Sequence, residues 1–130
     1  KARWVIPPER MKSGKEHVVP LCAETLEILK SLPKNKPPFQ MSENTMLYLL
    51  QKPHKLGLSE YTVHGFRSSF RDWAAEETET ENFIVEMALA HVIKDKTEAA
   101  YRRGQLLAKR KVLMTSWNAY LSAVPQSKVE

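Results

Sequence analysis

The chain has one cysteine, four glycines, no internal repeat and no apolar run near the length a bilayer demands. Each absence excludes something. A lone Cys22 cannot close an internal disulfide, so the expected home is a reducing cytosol. Beside Leu21, Cys22 reads as a small core residue rather than a reactive thiol. No stretch approaches the ~20 apolar residues of a membrane span, and no signal peptide opens the chain. No Cys/His or acidic cluster carries metal-ligand spacing. Low-complexity tracts are missing too, and so is an initiator Met. Lys1-Ala2-Arg3 runs straight into strand-like residues, so the chain is expected to be a piece excised from a longer protein.

What is present fits one soluble domain of 130 residues, 42% hydrophobic and 27% charged. Lys plus Arg outnumber Asp plus Glu by 20 to 15, and Arg102, Arg103, Lys109, Arg110 and Lys111 crowd the C-terminal third. A modest positive balance suits a polyanion without proving one.

Periodicity predicts a mainly α domain with a small antiparallel β-hairpin. Trp4-Val5-Ile6 and His17 to Leu21 are β-branched or aromatic runs. Pro7-Pro8 stop the first, and Lys12-Ser13-Gly14-Lys15 form a turn between them. Leu26, Leu29 and Leu32 predict an amphipathic helix that Pro33 ends. Ser42 is a plausible N-cap for a helix with Met46, Leu47, Leu49 and Leu50 as its apolar face. Thr62 is the next N-cap, opening a helix over 63–77 with Phe66, Phe70, Trp73 and Ala74 inward. A shorter helix over 81–90 turns Ile84, Met87 and Ala88 inward. A break at 91–95 and a short helix over 97–102 follow. The last helix, 105–123, offers Leu106, Leu107, Val112, Leu113, Trp117 and Leu121 as contacts.

Three segments carry chemistry. His64 and Arg67, at i and i+3 near a helix start, share a face and could grip a phosphate oxygen with two charge-assisted hydrogen bonds. Such a pair is also a common surface accident. His91 closes an apolar helix, where a histidine is usually a core residue or a cap. Tyr101 stands ten residues later between Ala99-Ala100 and Arg102-Arg103. Nearby positive charge favours a phenolate and hence nucleophilic attack, although a surface tyrosine reads the same way in isolation.

Together the motifs resemble the C-terminal signature of tyrosine recombinases. Their order is Lys12-Ser13-Gly14-Lys15 with Val18-Val19-Pro20-Leu21, then His64-Gly65-Phe66-Arg67, Leu89-Ala90-His91 and Ala99-Ala100-Tyr101. Thr62-Val63-His64-Gly65-Phe66-Arg67 and Glu98-Ala99-Ala100-Tyr101-Arg102-Arg103 are similar to the integrases of prophages and genomic islands. Trp4-Val5-Ile6-Pro7, Arg10-Met11-Lys12 and Met41-Ser42-Glu43-Asn44-Thr45 extend that likeness over nearly the whole chain. The resemblance implies the DNA breaking-rejoining fold, and site-specific recombination that integrates or excises an element through a 3′-phosphotyrosyl intermediate. It implies Tyr101 as nucleophile, Arg67 and His64 as transition-state donors, and His91 on the scissile phosphate. Lys12 is the implied general acid, with Lys15 as rival. No metal or nucleotide cofactor is implied. The implied partners are double-stranded attachment-site DNA, other protomers of a synaptic tetramer and accessory DNA-bending proteins, in a bacterial cytoplasm at the nucleoid.

One departure stands out. The family's second active-site arginine, on a helix before the first hairpin strand, has no counterpart, and Arg3 and Arg10 do not match its motif. Residues 1–130 are therefore expected to be the C-terminal part of a catalytic domain, without the arm-binding and core-binding domains. The chain alone is expected to be inactive or severely impaired. Two other functions stay open, a non-catalytic DNA-binding or assembly remnant and a type IB topoisomerase. The last helix has two open placements, folded back on its own domain or packed on a neighbouring protomer.

Overall fold

The computed structural model describes residues 2–38, 41–42, 44–52, 54–91 and 106–123. It is mostly helical with one two-stranded antiparallel sheet. Strand β1 (Arg3–Ile6) pairs with β2 (His17–Pro20), with Trp4 opposite Val19 and Val5 opposite Val18. The period of two in β2 buries Val18 and Pro20 and leaves His17 and Val19 half-buried. Between the strands Pro8–Arg10 form a single 3-10 turn, as the fixed φ of proline favours at a helix start.

Helix α1 (Ala23–Ser31) ends before Pro33, as expected, and contains no fully buried residue. Helix α2 (Thr45–Gln51) buries only Leu50, while Met46, Leu47 and Leu49 are exposed. This corrects the expected apolar face. Four apolar residues within five positions wrap most of the way round a helix of 3.6 residues per turn, so one flank cannot bury them all. The Ser42 hydroxyl does not cap a backbone N–H either; it meets the Thr45 hydroxyl at 2.9 Å. The chain after α2 folds back on its end, where the Leu58 N–H donates to the Leu50 carbonyl at 2.8 Å.

Helices α3 (Gly65–Glu77), α4 (Asn82–Ala88) and α5 (Leu107–Ala123) enclose the core. Phe70, Trp73, Ala74, Ile84, Val85, Leu89 and Leu113 are its buried members, with Leu106, Met114 and Trp117 packed around them. Phe70, Trp73, Trp117 and Tyr120 form an aromatic stack joining α3 to α5, with Trp73 and Trp117 centroids 4.9 Å apart. Four inward assignments change. Phe66 is 57% exposed, because packing begins one turn later at Phe70. Val85 is buried and Met87 only half-buried. Val112 and Leu121 point outward.

Helix α5 lies on β2, α3 and α4 of its own chain, the fold-back placement. Its position is set by a residue the hydrophobic pattern would not choose. Arg110 is 2% exposed, and its Nη2 donates to the Val18 carbonyl at 2.7 Å. No described helix is long and apolar enough to cross a membrane. The expected break after His91, the short helix over 97–102 and Gln105 lie outside the described residues.

Candidate functional site

The hairpin places the lysines. Met11 to Gly14 close a turn, the Gly14 N–H donating to the Met11 carbonyl at 2.9 Å. Gly14 has φ +64, a conformation that glycine adopts without strain. Lys12 occupies the first central position of that turn and Lys15 follows it, both exposed to solvent. Neither is joined to Arg67 or His91 among the described residues.

The start of α3 places His64 and Arg67. The N-cap residue is His64, two positions after the expected Thr62, but Thr62 still serves the helix start: its Oγ1 accepts from the Gly65 N–H at 3.0 Å. A Cβ on Gly65 would stand 3.3 Å from that oxygen, so glycine lets the hydroxyl sit close. His64 makes no side-chain cap bond, and its imidazole lies on the exposed surface. The Arg67 N–H donates to the His64 carbonyl at 3.0 Å, which puts both residues on the first turn.

The end of α4 places His91. Leu89 is its C-cap residue. The Ala90 N–H donates to the Met87 carbonyl, and the His91 N–H to the Glu86 carbonyl at 2.9 Å. Ala90 takes φ +57. This pair of bonds around a left-handed residue is the Schellman closure, which usually holds glycine at that position. His91 is thereby held just past the helix, with its ring exposed.

Arg67 joins the two ends. Its Nη2 donates to the Leu89 carbonyl across 22 residues of sequence. The end of a helix collects unpaired carbonyls and partial negative charge, so a guanidinium is at home there. One donor nitrogen is used in this way, and the guanidinium has others for a ligand. Arg67 and the Leu89-Ala90-His91 corner are thus brought together. Tyr101 lies outside the described residues.

Four residues of this region carry no signal in the motifs. Glu86 holds the His91 ring, its Oε2 2.6 Å from Nδ1, and its Oε1 lies 3.1 Å from Arg71 Nε. Arg110 Nη2 is 3.4 Å from His17 Nε2. Burial, then the guanidinium of Arg110, then that of Arg67 push the His17 pKa below its ordinary value of 6.5. Glu86 precedes His91 by five residues, outside the i+3 and i+4 rules of a helix face. Arg110 was legible in principle: with Leu106, Leu113 and Trp117 it completes a core-facing stripe in which it replaces an apolar residue. Cys22, expected as a small core residue, is half-buried and lies outside the buried core. Its Sγ lies 3.3 Å from the Met114 carbonyl, and burial is the first cause that pushes its thiol pKa upward.

No protein-family model matches the chain, and no solved structure does. Curated relatives do match. A prophage integrase of Escherichia coli K12, IntA, is 30% identical over 141 residues, spanning 98% of this chain and 33% of its own length. The integrase of Enterobacteria phage P4 is 27% identical, over 93% of this chain and 33% of its own. That of Shigella phage Sf6 is 28% identical, over 85% and 31%. The chain spans about a third of the relatives it matches.

Proposed function

This chain is a relative of the phage and prophage integrases, and on that premise we propose that it carries the strand-cleaving site of a tyrosine-type, site-specific DNA recombinase. The Tyr101 phenolic oxygen attacks the scissile phosphorus and forms a 3′-phosphotyrosyl bond. The bond to the 5′-oxygen breaks, and Lys12 supplies the proton that leaves it as a hydroxyl. The phosphotyrosine keeps the bond energy for religation, so the step needs neither metal nor nucleotide. Arg67 and His64 meet the extra negative charge of the five-coordinate transition state, where one preorganised donor is worth about 2.7–4 kcal/mol. His91 hydrogen-bonds the same phosphate.

The observation that supports this reading is the clasp of Arg67 on the Leu89 carbonyl. It brings two separate motifs to one corner, with further guanidinium donors on Arg67 and the His91 imidazole exposed. Lys12 stands on a projecting turn, where it can approach DNA that lies over that corner. The parent protein is longer and has the DNA breaking-rejoining fold, residues 1–130 being the C-terminal part of its catalytic domain. It acts on double-stranded attachment sites as a synaptic tetramer, aided by accessory DNA-bending proteins, to integrate or excise a prophage or genomic island.

The test is a nicked suicide substrate with the full-length protein. Wild type is expected to accumulate a covalent DNA–protein product, and Tyr101→Phe to give none while binding the site as tightly. Covalent product from Y101F overturns the assignment. Site-independent relaxation of supercoils would mark a topoisomerase instead, and unchanged recombination by Y101F a DNA-binding module.

A further inference from the structure

We propose that Glu86, braced by Arg71, is a positioning residue for His91, fixing Nε2 as the ring nitrogen that meets a DNA phosphate. The inference deepens the proposed function and rests on its assignment of His91 to the scissile phosphate.

Glu86 holds His91 twice, once through the main chain and once through the ring. Its carbonyl accepts from the His91 N–H at 2.9 Å, and its carboxylate lies 2.6 Å from Nδ1. An ionised carboxylate only accepts hydrogen bonds, so the nitrogen facing it carries the hydrogen. That leaves Nε2, on the opposite edge of the ring, for a ligand. A phosphate oxygen also only accepts, so the ring that binds it is the imidazolium, and Glu86 leaves its charge paired.

Arg71 stands beside the carboxylate as an ion pair, Nε 3.1 Å from Oε1, without making a hydrogen bond to that oxygen. It follows Arg67 by one helical turn on α3 and shares its face. Two arginines of α3 therefore clasp the end of α4: Arg67 takes the Leu89 carbonyl and Arg71 takes Glu86. Burial falls in the order such a chain needs. The Glu86 side chain is 21% exposed and that of His91 40%, so the carboxylate lies behind the ring. An ion pair this exposed contributes little to stability. Its consequence is orientation: the ring has a fixed edge and a fixed hydrogen before DNA arrives. Behind histidines that ligate metals, partners of this kind typically change activity 10–100-fold, which sets the scale for a phosphate-binding ring.

The experiment uses the full-length protein, with single-turnover cleavage of the nicked substrate at saturating DNA. Glu86→Ala is expected to slow cleavage roughly 10–100-fold with unchanged DNA affinity, and Glu86→Gln to retain part of the loss, since it keeps an acceptor but not the charge. In a His91→Ala background, adding E86A is expected to cost nothing further. Nitrogen-15 spectra of the histidine rings are expected to show the His91 hydrogen on Nδ1 in wild type and not in E86A. If E86A fails to fold, E86Q is read in both arms. Wild-type cleavage by the Glu86 variants, losses that multiply in the double variant, or an Nδ1 pattern that E86A leaves unchanged overturns the inference. Y101F run alongside separates the failures. Covalent product from Y101F sinks the proposed function, whereas its loss beside an unaffected E86A sinks only the role of Glu86.

Discussion

His17 shows how a single side chain can make the fold sensitive to pH. Its Nε2 faces Arg110, and burial with the two guanidiniums holds its folded pKa below 6.5. Below 6.5 the unfolded chain therefore binds more protons than the folded one. The stability that neutral His17 contributes is present above that pH and is lost as pH falls from 6.5 through the lowered folded value. Urea midpoints measured from pH 8 down to pH 5 are expected to fall more steeply in wild type than in His17→Gln. Parallel curves would show that His17 stays uncoupled from Arg110. The same corner shows what single residues hide in a sequence. His64 and Arg67 are placed on one face by helix spacing, whereas His91 is singled out by the motif resemblance of Leu89-Ala90-His91. Glu86 and Arg71 are not legible, since their meeting depends on how two helices cross.

At the level of elements, the boundaries follow local chemistry. Pro33, Thr62 and the proline pair after β1 stop or start elements where their backbone preferences dictate. Facing is less legible, because it depends on which neighbours arrive. Phe66 fits the apolar period of α3 as well as Phe70 does, yet the layer of α4 and α5 begins only at Phe70. Helix α4 carries a local conflict with a clear consequence. Ala90 occupies the left-handed position of the Schellman closure at φ +57, where a Cβ costs on the order of 1–2 kcal/mol. Glycine removes that crowding but loses more freedom on folding. Ala90→Gly is expected to stabilise the chain by about 1 kcal/mol, read as a higher urea midpoint. An unchanged or lower midpoint would show that the left-handed turn carries no penalty here.

For the molecule as a whole, the chain matches about a third of each integrase it is related to. On the proposed reading a cleavage site collects donors from several parts of a fold, and the motif resemblance implies a second arginine that Arg3 and Arg10 do not match. The 130-residue chain on its own is expected to give little or no covalent product with the suicide substrate, and the full-length protein abundant product that persists in EDTA. Robust product from the chain alone would show its own donors to be sufficient. The positive balance of 20 to 15 overstates the charge the surface presents, because Arg110 is spent inside. Its bond to the Val18 carbonyl spans 92 residues and has a consequence for assembly. During synthesis the hairpin leaves the ribosome long before α5 exists, so Val18 waits for nearly the whole chain. Contacts of such separation demand closure of a long loop before they give anything back. Strand β2 docks only when the last helix is made, so a truncated translation product would carry an undocked hairpin, and the Lys12 turn with it.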